Sequence, residues 1–244
     1  MIPISQLWND IVAAGEYRYE YRAIINGVTY GIDKLVSIHT EQMVFDREPK
    51  VGVCASAEMK LSMLKPSETI PRMALIRLQV RVRNDSQTSE WINQGFYFID
   101  TREETKNDDG VPVISFHCYD AMLKAEQLFP STVSGWPKSD VSTVKLIAYY
   151  LGLQSSASAT SGIDPRTLDL MTDGYQISAP AGYTLRETLS YIACMYAGNF
   201  IISSENKLLL IAINGIPEET SLIVDESGNI ITFGEDAISI VDTV

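Results

Sequence analysis

The chain has 244 residues, one large domain or two small ones, and a chain of this length buries roughly three quarters of its unfolded surface without needing staples. Its hydrophobic share (45%) and charged share (20%) are ordinary for a globular protein. A formal charge of −12 argues against non-specific nucleic-acid binding, which runs on phosphate neutralisation by Lys and Arg, and against an anionic membrane surface.

Cys54, Cys118 and Cys194 are odd in number, far apart and form no C-x-x-C, so they make neither a disulfide framework nor a zinc site. Free buried thiols in a reducing compartment are the expectation. The first residues lack a basic segment followed by an apolar run, so no signal peptide is expected. No run approaches the ~20 apolar residues of a membrane-spanning helix. Synthesis and folding in a cytoplasm follow as expectations.

In chain order, Gln6 to Ala14 reads as a short amphipathic helix with Leu7, Trp8, Ile11 and Val12 inward, ended by Gly15. Tyr17 to Ile25 alternates: Tyr17, Tyr19, Tyr21 and Ala23 share one face, and Arg18, Glu20 and Arg22 share the other. Asn26-Gly27 closes a hairpin, because a type I′ turn wants positive φ at both central positions. Val28–Ile32, Lys34–Thr40 and Val51–Met63 read as further strands. Ala74–Arg83 is the cleanest, with Ile76, Leu78, Val80 and Val82 on one face and Arg77, Gln79, Arg81 and Arg83 on the other. Trp91–Glu126 writes a hairpin running into a helix: strand Gly95–Asp100, turn Lys106–Gly110, returning strand Val113–Tyr119, helix start Tyr119–Lys124. Residues 16 to 120 thus hold about seven short strands, which suggests a β-barrel or sandwich.

After Phe129 the pattern changes. Pro130 to Lys138 is turn-like and holds Trp136-Pro137; Asp140 to Leu151 is a helix with Gly152 at its end. Gln154 to Gly162 is small and polar, and Ile163 to Gly182 follows with little periodicity; a loosely structured stretch of this length is often a partner-contact segment. Thr184-Leu-Arg-Glu187 is a capping box opening a helix with Leu185, Leu189, Ile192, Ala193 and Tyr196 buried and Gly198 as the left-handed cap. Phe200–Ile202 and Leu208–Ile213 form a hairpin about a Ser203–Lys207 turn. Strand patterns return from Ile216, at Leu222–Val224, Ile230–Phe233 and Ile238–Val241, with a turn at Asp225–Gly228.

The chain shows no P-loop, Rossmann glycine fingerprint, nucleophile elbow or His-Glu-x-x-His. His117-Cys118 is the tempting nucleophile pair, but adjacent strand residues point to opposite faces: Cys118 joins Ile114 and Phe116, and His117 joins Ser115 and Tyr119. Thr105-x-Asn107-x-Asp109-Gly110 touches a calcium-loop pattern, but its twelfth position is Phe116 and its flanks are strands. Asp100, Glu103, Glu104 and Asp120 read as a solvated hairpin end. No catalytic, cofactor or metal residue is therefore expected. Arg77, Arg81 and Arg83 are interface candidates, suited to acidic side chains on a neighbouring strand or subunit rather than to nucleic acid. Trp136 and Tyr175, in the turn-like and aperiodic stretches, are the others.

Two segments together resemble the N-terminal part of bacteriophage and prophage tail baseplate hub proteins, the tail-associated family. One is Trp91–Leu123, with Gly95-Phe-Tyr-Phe-Ile-Asp100 and Tyr119-Asp-Ala-Met-Leu123; the other is Gly182–Ala193 continuing through Gly198-Asn-Phe-Ile-Ile202 and Lys207-Leu-Leu-Leu210. The opening Ile4-Ser-Gln-Leu-Trp8 and the Ile25-Asn-Gly-Val28 hairpin are similar to prophage versions. The resemblance implies a non-enzymatic virion component. It implies an α+β, mostly antiparallel β fold: a barrel-like domain over 1–128 and 216–244, interrupted by a small α/β domain over 129–215. It further implies a homotrimer that helps to close or adapt the tail tube, with the distal tail adaptor, tape measure and tip proteins as partners. Acidic walls would suit such a tube, since they repel DNA phosphate. A hexameric distal adaptor is the nearest alternative within the tail; a cell-wall hydrolase and a carbohydrate- or receptor-binding module are alternatives from other classes.

Overall fold

The architecture follows from one short link. In the computed structural model, which describes residues 4–44, 50–107 and 109–212 together with three later strands, seven strands form one antiparallel sheet in the order β2-β1-β5-β6-β7-β4-β3. The strands are β1 (Arg18–Ile25), β2 (Val28–Tyr30), β3 (Leu35–Glu41), β4 (Glu58–Leu64), β5 (Leu75–Arg83), β6 (Ile92–Lys106) and β7 (Pro112–Tyr119). β2 and β3 are the two edges, yet only residues 31–34 lie between them. Five Cα steps reach at most about 19 Å, whereas seven flat strands would set the edges about 29 Å apart. The sheet therefore curls into a half-barrel. Gly31 fixes the link: its carbonyl accepts the N–H groups of Lys34 (2.9 Å) and Leu35 (3.0 Å).

Local chemistry agrees with the sequence reading at most of these strands. Asn26 (φ 50°) and Gly27 (φ 80°) make the hairpin turn with the expected signs. Ile76, Leu78, Val80 and Val82 are all buried on the inner face. They are joined there by Ala23, Met59, Leu61, Met63, Tyr97, Ile99, Phe116 and Cys118. β6 bulges against β5 at Gln94, between Leu78 and Gln79 of its neighbour. Gly95 must lack a side chain there, because a Cβ would stand 2.7 Å from the buried Tyr97 ring. A helix, α1 (Gln6–Ala13), packs on β5 with Ile11 fully buried; its N-cap Ser5 accepts the Trp8 N–H at 3.1 Å. Leu7, expected to point inward, is exposed instead, since α1 lies on the sheet through little more than the Ile11 side.

A second core starts directly after β7. Asp120 caps a 3-10 turn, Ala121–Glu126, whose Ala121, Met122 and Ala125 are fully buried. They pack with helices α2 (Asp140–Tyr150) and α4 (Leu185–Met195) and the hairpin β10 (Gly198–Ile202)–β11 (Leu208–Ala212). Both bonds of the Thr184/Glu187 capping box form, at 2.7 and 3.1 Å. Gly198 does not take the left-handed position; Ala197 does (φ 46°). Gly198 instead opens β10, where a Cβ would meet the Ile211 carbonyl at 2.6 Å. The aperiodic stretch carries a short helix α3 (Pro165–Leu170) and a two-residue ladder between β8 (Lys138–Ser139) and β9 (Gln176–Ile177). It is sewn to β11: Asp164 N–H donates to Leu208 O (2.9 Å), Leu208 N–H to Gly162 O (2.9 Å), and Leu210 N–H to Thr167 Oγ1 (2.8 Å). The last strands, β12 (Ile223–Val224), β13 (Ile230–Phe233) and β14 (Ile238–Val241), pair with one another. The expected Asp225–Gly228 turn and Asp108 of the 106–110 turn lie outside the described residues. No helix among the described residues is long and apolar enough to cross a membrane.

The two cores are tied by few polar side chains. Arg186 of α4 donates to the carbonyls of Cys54 and Met122 (3.0 Å to the latter), to Ser56 Oγ (3.2 Å) and to Glu126 (2.5 Å). Asn199, fully buried in β10, accepts the Val53 N–H (2.8 Å) and donates to Val44 O and Lys50 O (3.0 Å each). Removing the guanidinium would leave two carbonyls at the junction without their donor. Arg186→Ala is expected to cost roughly 2–4 kcal/mol of unfolding free energy in a urea titration. Lysine, a single point donor, should restore less than half of it.

Candidate interface surfaces

The outer face of β1 and β5 gathers five of the chain's ten arginines. Residues directly opposite share a face, so the register places Arg18 against Arg83, Glu20 against Arg81 and Arg22 against Gln79. Arg77 lies one diagonal from Arg22. Glu20 accepts from Arg81 (2.8 and 2.6 Å) and from Arg83 (3.4 Å), and these guanidinium hydrogen bonds hold its carboxyl below the ordinary value. Two of the three arginines singled out by sequence thus find their acid on a neighbouring strand. Arg77 does not: its Nε donates to Asn93 Oδ1 (2.7 Å), and its guanidinium lies 5.6 Å from the Phe96 ring centre. Arg22 and Trp91, which sequence reading did not single out, complete the face. Arg22 donates to Gln79 (2.8 Å), and Arg22 and Arg81 stack on Trp91 at 4.2 and 4.4 Å.

The other two candidates sit on the second unit, at opposite ends of the β8–β9 ladder. Trp136 follows Val133, whose carbonyl takes its indole N–H (2.9 Å), and it meets Phe129 edge-on at 5.5 Å; most of its work is packing. Tyr175 is 40% exposed and stands edge-on to Tyr196 at 5.4 Å. Beneath it, fully buried Asp140 accepts from the Tyr175 N–H (3.2 Å) and from the Tyr196 hydroxyl.

The inner face offers a surface that alternation alone hides. Tyr17, Tyr19 and Tyr21 lie on the same face as buried Ala23, yet they are 39%, 47% and 37% exposed. The reason is topological. β2 covers only Ala23–Ile25 of β1, so the Arg18–Arg22 edge has no strand partner among the described residues. Across the gap stands β3, the other open edge. A groove of about 300 Å³ lies between them, lined by Tyr21, Ile32, Leu35, Val36, Ile38 and Leu78. Of the three tyrosines only Tyr21 lines it; along β1 the neighbouring rings are 5.5 and 6.5 Å apart, and Trp8 closes on Tyr19 at 6.4 Å.

Of the three thiols expected to be buried, Cys54 and Cys118 are, whereas Cys194 on α4 is exposed. Cys118 is fully buried, and burial pushes its thiol up to about 12; His117 points to the other face and hydrogen-bonds Glu58 at 2.7 Å. Among the described residues no cluster of His, Cys, Asp or Glu has the makings of a metal site. Asn107 turns the long hairpin by accepting the Val111 and Gly110 N–H groups (2.8 and 2.9 Å).

No family model matches this chain. No curated protein matches it. Among solved structures it is similar to a tail protein from Neisseria meningitidis MC58, at 10% identity and TM-score 0.49, over 79% of this chain and 50% of that one. It is also similar to the 43 kDa tail protein of prophage MuSo2 from Shewanella oneidensis, at 14% identity and TM-score 0.46, over 80% of this chain and 56% of that one. The chain thus spans about half the length of each.

Asp120 is the buried carboxylate with the clearest consequence. It accepts from Ala57 N–H (2.8 Å) and Met122 N–H (2.9 Å), which with Arg186 pull its pKa down, but burial outweighs them and lifts it from 3.8 to about 7. The folded chain therefore holds this proton more tightly than the unfolded chain. Its contribution to stability is complete below pH 4 and is lost as pH rises to about 7, with a slope approaching about 1.4 kcal/mol per pH unit. Glu20 and Asp164, whose pKa values are lowered, act in the opposite sense below pH 5. The difference between wild type and Asp120→Asn, read by urea unfolding from pH 4 to 8, isolates the Asp120 contribution. The variant is expected to lack that fall.

Proposed function

We propose that the chain is a non-enzymatic structural component of a bacteriophage or prophage tail, at the tip or baseplate hub, working as one subunit of a trimeric ring that closes or adapts the tail tube. The observation that carries the reading is the order of units. A curled antiparallel sheet comes first, a helix–hairpin unit is built onto its end, and strands return afterwards, the order that the resemblance to hub proteins implies. The exposed sheet edges and tyrosine row suit a protein whose work is contact with neighbours. Its place would be the virion tail, with the distal adaptor, tape measure and tip proteins as neighbours, after synthesis in a bacterial cytoplasm. A carbohydrate-binding module is the second reading, favoured by the exposed tyrosine row of β1 beside Trp8.

Light scattering across a concentration series is expected to give a trimer. A hexamer would favour the distal adaptor, a monomer at high concentration would sink the ring, and glycan-dependent fluorescence of Trp8 would favour the sugar reading.

The domain division belongs to the same proposal: residues 216–244 rejoin 1–128, and 129–215 are inserted. The strandless Arg18–Arg22 edge supports it, since a returning strand would complete that side of the half-barrel. A chain ending at residue 215 is then expected to lose several degrees of thermal midpoint relative to the full chain. Equal midpoints would separate the returning strands from the barrel.

A further inference from the structure

We propose that the arginine face of β1 and β5 is a docking surface for carboxylates on a second copy of this chain, with Arg22 and Arg77 as its centre. The inference deepens the oligomeric part of the reading above but does not need the tail. Five guanidiniums (Arg18, Arg22, Arg77, Arg81 and Arg83) share one face of two adjacent strands, with Glu20 the only carboxylate between those strands on that face. Arg18 stands directly opposite Arg83, and like charges in that position repel. Glu20 pairs with both Arg81 and Arg83 but offsets only one of their two charges. Arg22 and Arg77 are left with the neutral amides of Gln79 and Asn93, each bound through Nε alone; their terminal nitrogens have no hydrogen-bond partner among the described residues. Burial, with the charges of Arg77 and Arg81, holds the Arg22 guanidinium below its ordinary pKa.

The amides do not neutralise the face; they aim it. Gln79 accepts from Arg22 and donates to Asn93 (2.9 Å), and Asn93 accepts from Arg77 and donates to Glu205 of the β10–β11 turn (3.1 and 3.3 Å). Trp91 and Phe96 supply flat surfaces on which the guanidiniums lie. Guanidiniums that are held in place with free terminal N–H groups fit a carboxylate bidentately. The chain itself is the acidic protein at hand: 31 Asp and Glu against 19 Lys and Arg, with five of those 19 on this face. Two copies repel as whole charges, but that repulsion is screened beyond about 8 Å at physiological salt, so the local contact decides. Duplex DNA fits less well, since binding it needs a broad basic surface and the rest of this chain is strongly acidic.

Sedimentation velocity of the full chain at 50, 150 and 500 mM NaCl tests this, comparing wild type with Arg22→Gln/Arg77→Gln and with Arg22→Glu/Arg77→Glu, each checked for native circular dichroism. Wild type is expected to self-associate less as salt rises, and the Gln pair to weaken association at least about tenfold. The neutral pair keeps the result readable if charge reversal impairs folding. A trimer unaffected by the Gln pair would overturn this surface and leave the ring reading standing. Arginine-dependent dimers would support the surface while sinking the ring. A wild-type monomer throughout would overturn both. Arginine-dependent binding of inorganic phosphate or of a short DNA duplex at 150 mM NaCl, without self-association, would also overturn the proposal.

Discussion

The two outermost strands of the sheet are joined by four residues, and most of the molecule's surface follows from that restraint. A flat sheet is impossible with β2 and β3 so tethered, so the sheet curls and acquires an inside and an outside. The inside becomes the first hydrophobic core. The outside collects the charged partners of each alternating strand, which concentrates the arginines of β1 and β5 on one convex face. Because β2 is only three residues long, the tether draws the edges together at one end only. Beyond it no strand among the described residues pairs with the Arg18–Arg22 edge, and tyrosines on a core-facing stripe are exposed.

The second core depends on the first through a narrow polar junction. Asp120 ends the last sheet strand, caps the 3-10 turn and clamps Ala57 beside β4. Arg186 reaches from the helix beneath to the backbone of Cys54 and Met122. Asn199 satisfies all the hydrogen bonds it makes within the loop before β4. Buried polar groups of this kind contribute little when satisfied and cost much when orphaned, so they specify one relative placement of the two units. Cys54 and the 3-10 turn accordingly belong to the second core although sequence order places them with the barrel.

The candidate site was partly legible. Arg77, Arg81 and Arg83 are visible as a row because period-two alternation fixes which side chains share a face, with acidic partners expected on a neighbouring strand or subunit; Arg81 and Arg83 meet Glu20 of β1, and Arg77 meets Asn93 instead. Arg22 and Trp91 are not visible in this way, since nothing local says that Arg22 lies diagonal to Arg77 across a pairing of strands 51 to 65 residues apart in sequence. A sheet register finds Arg22: once β1 and β5 pair, it falls between Arg77 and Arg81. Trp136 and Tyr175 lie in stretches without periodicity, and those stretches are pinned by β11 and Asp140.

What the sequence determined by itself is what short-range chemistry controls. Asn26-Gly27 sets its turn through backbone conformation, Thr184 and Glu187 cap their helix across three residues, and the alternation of Leu75–Arg83 assigns its faces. The α+β class and the count of strands before residue 120 follow from such signals. Only the tertiary structure decided whether a stripe is covered. The tyrosine stripe of β1 has the pattern of a core strand but stays more than a third exposed, with only Trp8 of α1 closing on Tyr19 among the described residues, and Gly198 is needed for a close approach to Ile211 rather than for a turn. Burial, charge pairing and close backbone contact depend on which distant segments arrive, and that is a property of the assembled sheet rather than of any window along the chain.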